Sequence, residues 1–252
     1  MKIEKIIKKN SNQYKIILSD KTSLSFYDDV IIKYSLLINK EITSKEIIEI
    51  TNENNLYAAY YEGLKLIKIK LRTKKELKDL LVRKNYSLKA INFAIEKLSS
   101  QGYLNEELYI KCYINDAYNL KYLGPNRIIY ELKKLGLNEE KINQELNSFK
   151  DKWQENIKKL VNKEIKINHT SSSKVLKEKI IRKLITKGYY KEDINNCLEK
   201  IVIDDSKVLE KEFNKELNKL SKKYLDNELK YMLKKKLYQK GFNLNDINKL
   251  IN

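Results

Sequence analysis

The first pattern along the chain has a period of two. Tyr14, Ile16 and Leu18 alternate with other residues, as the two faces of a half-buried strand require. Apolar runs from Ile3 to Lys9 and from Leu24 to Phe26 flank them. Turn-forming segments, Asn10-Ser11-Asn12 and Ser19-Asp20-Lys21-Thr22-Ser23, separate the three. A small antiparallel β meander follows from this spacing. Near residue 28 the period changes. Asp28 is expected to cap a short helix carrying Val30, Ile31 and Tyr34, and Thr43 with Glu46 makes a capping-box start for the next. Beyond it apolar residues recur three or four apart, with a single proline in the whole chain, which is a helical pattern. The sequence divides into residues 1–42, the meander with its short helix, and residues 43–252, which are helical.

The helical part repeats. Four segments align without gaps: LVRKNYSLKAINFAI from Leu81, LKKLGLNEEKINQEL from Leu132, LITKGYYKEDINNCL from Leu184 and LYQKGFNLNDINKLI from Leu237. Their junction residues are Asn85, Gly136, Gly188 and Gly241, spaced 51, 52 and 53 residues apart. Apolar residues also recur eight before each junction, at Leu77, Ile128, Ile180 and Leu233. At a junction one helix must end in a left-handed residue, which glycine adopts without strain and asparagine next best. Positive φ is therefore expected at all four. Tyr86, Leu137, Tyr189 and Phe242 follow and can pack back on the preceding helix, while Ser87 and Asn138 suit the N-cap of the next. The rest of each period, such as Asn105 to Lys121, supplies a third helix. The predicted fold is mainly α: tandem three-helix repeats in an elongated, curved array, with the small meander at the N-terminus.

Composition adds charge to this picture. Of 52 basic residues four are arginine, against 34 acidic ones, for a net charge of +18. That balance suits a polyanion. An excess of Lys, Asn, Ile and Tyr is also what an AT-rich genome produces, so on charge alone a solvated basic surface and nucleic-acid contact stand level. Catalytic material is scarce. His169 is the single histidine, Cys112 and Cys197 lie far apart and read as small buried apolar groups, and no phosphate-binding glycine loop or nucleophile–base pair occurs. Neither catalysis, a metal nor a cofactor is expected. No apolar run is long enough to cross a bilayer, and MKIEKIIKKN lacks the apolar block of a secretion signal, so a cytoplasmic protein is expected.

Several ordered boxes resemble the RecX family, bacterial regulators of the RecA recombinase. They are Arg72-Thr73 with Glu76-Leu77, the box Gly102, Tyr103, Leu104, Asn105, Glu106, then Gly124-Pro125 with Arg127-Ile128, and Glu131-Leu132 with Gly136. The segment Lys234 to Phe242 looks like the last repeat of the longer family members. Gly63, where alanine is usual, and Asn85 depart from the pattern. The resemblance implies a non-enzymatic monomer that lies in the groove of the RecA filament on single-stranded DNA. There it would lower filament extension, ATP hydrolysis, strand exchange and the co-protease activity behind the SOS response. Double-stranded DNA is a further possible partner, and a helical-repeat nucleic-acid binder acting without RecA is the alternative.

Candidate contact residues follow, each beside a plainer role. Where lysine is the default, Arg72, Arg83, Arg127 and Arg182 suit a planar donor for carboxylate or phosphate, and an internal salt bridge equally. Lys74, Lys121, Lys133, Lys134 and the run Lys234-Lys235-Lys236 could meet phosphates or acidic patches, or simply be solvated. Tyr103, Asn105 and Glu106 are candidates whose types turn chemistry already explains: glycine ends a helix, Tyr103 and Leu104 pack, Asn105 caps. Tyr109, Tyr113 and Tyr122 could stack bases, though core is the commoner role at helical spacing.

Overall fold

The computed structural model describes residues 1–251. Three strands, β1 (Ile3–Lys8), β2 (Gln13–Leu18) and β3 (Ser23–Tyr27), pair antiparallel in the order β1-β2-β3. Ile3, Ile16, Leu18 and Phe26 point inward and pack with Val30, Leu36, Ile42 and Ile50. The short helix α1 (Asp28–Lys33) and the long helix α2 (Ser44–Ile69) close this layer. Asn54 of α2 accepts from the Tyr27 N–H (2.9 Å) and donates to the Ser25 carbonyl (3.2 Å), so the helix satisfies the free edge of β3. The Thr43–Glu46 capping box is formed. Asp28, by contrast, is the first residue of α1 rather than its cap, and Tyr27 stands at the cap. The Asp28 carboxylate is turned to another donor, the Asp29 N–H (3.0 Å).

The remaining elements come in threes. Helices α3 (Lys74–Arg83), α4 (Leu88–Ser100) and α5 (Glu106–Asp116) make the first period, with a π-helical turn at Ala117–Lys121. The next comprises α6 (Pro125–Lys134), α7 (Glu139–Asn147) and α8 (Trp153–Lys166). The third comprises α9 (Ser173–Thr186), α10 (Lys191–Glu199) and α11 (Ser206–Leu220), and α12 (Asp226–Gln239) with α13 (Leu244–Ile251) begin a fourth. The chain forms two compact units, one of residues 1–110 with 134–137, the other of residues 111–133 with 138 onward. In the first, α2 packs along α4, and Ala59, Leu77, Leu81, Ile91, Ala94 and Leu98 form its core. In the second, the rings of Tyr118, Phe149, Trp153 and Tyr189 meet at 5.3–6.5 Å, and Leu233, Leu237, Phe242 and Ile247 are buried at the C-terminal end.

All four junctions are left-handed: φ is 62° at Asn85, 82° at Gly136, 94° at Gly188 and 85° at Gly241. At Asn85 the Tyr86 N–H reaches the Leu81 carbonyl (3.2 Å) and the Asn85 N–H that of Val82 (2.9 Å), a Schellman ending. Gly188–Tyr189 and Gly241–Phe242 repeat it. Ser87 and Asn138 then cap α4 and α7 through their side chains.

A second regularity links one period to the next. The carbonyl just before a junction glycine accepts a hydrogen bond from the start of the first helix one period earlier. Thr73 Oγ1 donates to the Leu135 carbonyl (3.2 Å), the Gly124 N–H to that of Lys187 (2.8 Å), and Ser172 Oγ to that of Lys240 (2.7 Å). At two of the three latches the junction glycine is closely approached. A Cβ on Gly188 would sit 2.3 Å from the Arg127 nitrogen, and one on Gly241 2.8 Å from Ser172 Oγ, whereas at Gly136 the nearest atom is a Lys75 side-chain carbon at 3.4 Å. Among the described residues no such latch reaches the carbonyl of Lys84, before the exposed Asn85. Asparagine is tolerated there because left-handed φ is needed without close approach.

Candidate partner and nucleic-acid interface

In the first unit, the start of α3 and the turn into α5 come together. Arg72 lies beside Glu76 (Nη1–Oε1 3.8 Å), with its Nε buried and unpaired among the described residues. Lys74 reaches Glu106 at 3.7 Å. Asn105 caps α5 by accepting the Leu108 N–H (2.9 Å), after Gly102 has ended α4 at φ 78°. Leu104 is buried, but Tyr103 is 47% exposed and does not join the core. Tyr109 is core. Burial pushes its hydroxyl up to about 12, and the neighbouring Glu76 carboxylate adds to the rise. Arg83 and Lys134 are exposed on separate helix ends, and the carbonyl of Lys134 accepts from Lys75 Nζ (3.0 Å).

A tether missed by sequence reading joins the sheet layer to α4. Lys97 Nζ lies 2.9 Å from Asp29 Oδ1 and over the rings of Tyr57 (4.2 Å) and Tyr60 (4.7 Å). Tyr61 donates to Asp29 Oδ2 (2.6 Å). Burial alone would raise the Asp29 carboxyl; the bonds from Tyr61 and Lys97 outweigh it and hold the group below its ordinary value. Only the odd placement of Lys97 among apolar residues of the α4 stripe could have signalled this.

In the second unit, Arg127 and Lys121 gather around one carboxylate. Arg127 Nε binds Glu131 Oε1 (2.6 Å) and its guanidinium lies 5.7 Å from the Tyr130 ring centre. Tyr113, half-buried, donates to the other Glu131 oxygen, and Lys121 Nζ sits 5.3 Å from the Tyr113 ring. Burial raises the Glu131 carboxyl, but the bonds from Tyr113 and Arg127 prevail and lower it. Lys133 pairs with Glu139. Tyr122 is half-buried and left-handed (φ 52°). Arg182 is exposed, and among the described residues its side chain bonds only back to the Glu178 carbonyl (3.4 Å), while Lys235 and Lys236 are exposed and Lys234 half-buried on α12.

Cys197 is buried, as the composition suggested, but Cys112 is exposed. It stands two residues from both Ile110 and Ile114, which are buried, and a helix places such a residue on the opposite face. Among the described residues no group of three or more His, Cys, Asp or Glu is arranged to hold a metal, and no helix is long and apolar enough to cross a membrane.

Fold and surface together define a class: a basic protein of three-helix repeats led by a three-stranded sheet. No protein-family model matches the chain. Individual relatives do. It is 30% identical over 245 residues to a regulatory protein RecX of Listeria monocytogenes serotype 4b (strain F2365), covering 95% of this chain and 91% of that one. To the regulatory protein RecX of Bacillus subtilis (strain 168) it is 29% identical over 250 residues, covering 97% and 94%. The crystal structure of a regulatory protein RecX shares the fold, with TM-score 0.68 at 24% identity over 77% of this chain and 98% of that one. The RecX of Lactobacillus salivarius gives TM-score 0.54 at 25% identity, covering 58% and 96%. The chain belongs to the RecX family of regulatory proteins.

Proposed function

We propose that this protein regulates homologous recombination and the SOS response by binding the RecA filament on single-stranded DNA, in its groove. Binding there inhibits filament extension, ATP hydrolysis, strand exchange and co-protease activity. The observation that carries the reading is the end-to-end kinship with regulatory RecX proteins, 30% identity across 91% of a relative's length. The arrangement of side chains supports a division of labour. Asn105, Glu106 with Lys74, Arg127 and Lys133 have internal partners and shape the repeats. Arg83, Lys134, Arg182, Lys235 and Lys236 are exposed, with no carboxylate partner among the described residues, and meet phosphates or acidic groups of the filament; Lys121, exposed beside Tyr113 and Glu131, joins them. Tyr103, exposed in the turn before α5, adds an aromatic contact. The protein acts as a cytoplasmic monomer without cofactor.

The test is RecA ATPase and strand exchange on single-stranded DNA, with the protein below stoichiometry. Inhibition with co-sedimentation on the filament is the expected result. Absence of both at low salt contradicts it. Tight binding to naked DNA without preference for the filament would favour a nucleic-acid binder that acts without RecA.

A further inference from the structure

Helix α12 turns a distinctive face to solvent. Its buried side is Leu233 and Leu237. On the other side Tyr231 and Tyr238 are each 63% exposed, seven residues apart and so about 10 Å along the axis on one face. Lys235 lies between them and Lys234 beside them, and neither has a carboxylate partner among the described residues. Both acidic residues of the helix, Asp226 and Glu228, are confined to its first turn. The matching positions of α9 are Glu178, Arg182 and Ile185, which carry no ring. Two exposed rings with cations between them form the combination that binds a strand of unpaired bases: rings stack on bases and lysines take phosphates. Beyond its first turn the helix carries no acid, so the surface between the rings is of one sign, as a phosphate backbone requires.

We propose that the outward face of α12 binds single-stranded nucleic acid, Tyr231 and Tyr238 stacking on bases and Lys234 and Lys235 holding the backbone. The span between the rings matches roughly three steps of about 3.4 Å along a stacked strand. The site rests on the nucleic-acid part of the reading above and places it on named residues.

The experiment measures anisotropy of fluorescein-labelled oligo-dT with the full chain across a salt series. The double variant Tyr231→Ala/Tyr238→Ala is expected to bind roughly tenfold or more weakly with its salt slope kept, since each stacked base is worth that order. Tyr231→Phe/Tyr238→Phe keeps the rings and should bind as the parent does. Lys234→Ala/Lys235→Ala should flatten the slope by about 1.4, two phosphates at about 0.7 each. Parent-like affinity in the alanine pair overturns the proposal. So does a loss confined to RecA filaments with oligo-dT binding intact, which would make the face a protein contact. A parent chain that does not bind oligo-dT at low salt overturns it too, and RecA ATPase inhibition by the same preparation shows whether the regulatory reading survives.

Discussion

Replacing Gly188 with alanine probes the linkage between periods at its tightest point. Two costs combine. The residue sits at φ 94°, where a side chain adds about 1–2 kcal/mol. Its new Cβ would also lie 2.3 Å from the Arg127 nitrogen and 2.4 Å from the Arg127 Cβ, atoms fixed by the α6 backbone. Relieving that overlap moves the start of α6 and breaks the Gly124–Lys187 bond and the 3.0 Å bond from the Asn126 N–H to the Gly188 carbonyl. Each contributes about 0.5–1.5 kcal/mol net. A loss of about 2–5 kcal/mol follows, lessened by up to about 1 kcal/mol because alanine restricts the unfolded chain. Gly136→Ala carries the left-handed cost alone, since its nearest neighbour is a mobile lysine stem at 3.4 Å. The assay is urea unfolding followed by Trp153 fluorescence. Trp153 is the single tryptophan, and its ring lies 6.5 Å from that of Tyr189, the residue after the junction. A Gly188→Ala chain no less stable than Gly136→Ala would refute the close-approach argument.

At the first junction, Asn85→Val should cost about 1–2 kcal/mol in thermal or urea unfolding, while Asn85→Gly should be neutral or stabilising. Lys97→Met removes the cation from Asp29 and from the tyrosine rings, and about 1.5–3 kcal/mol of stability should go with it. Hydrogen exchange of β1–β3 and α1 amides checks this; unchanged protection would mean the tether is idle. Lys240 binds Glu212 (2.6 Å) and Glu216, both nearly buried on α11. Its hydrogen bonds hold both carboxyls below the ordinary 4.5 despite their burial. Because the folded values are lowered, the unfolded chain takes up protons first: this stability is present above about pH 4.5 and is lost as pH falls further. Lys240→Met should flatten the acid limb of a stability-versus-pH curve, and an unchanged limb would contradict the assignment.

Local signals in the sequence carried far. Alternation at Tyr14, Ile16 and Leu18 located β2 to within a residue, and the junction pattern located four helix endings with their left-handed residues. These depend on neighbours a few positions away. The latches do not. Thr73 and Ser172 look like ordinary helix caps, and their acceptors lie 62 and 68 residues away. Lys97 reads as a solvated lysine until Asp29, 68 residues earlier, is brought beside it. Tyr103 was expected to pack, but the left-handed Gly102 turns the chain so that Leu104 takes the buried place. Among the four arginines, Arg127 is committed to Glu131, an i,i+4 pairing visible in the sequence. The exposed rings of α12 were hidden because Tyr231 and Tyr238 sit beside the buried Leu233 and Leu237 in the sequence, as Tyr109 and Tyr189, which are core, sit beside buried neighbours.

The regulatory claim is tested most directly by comparing affinities of the full chain for naked single-stranded DNA and for the same strand coated with RecA, at one salt concentration. Tighter binding to the coated strand, with inhibition of its ATPase, is the predicted result. Equal or weaker binding to the coated strand would contradict it.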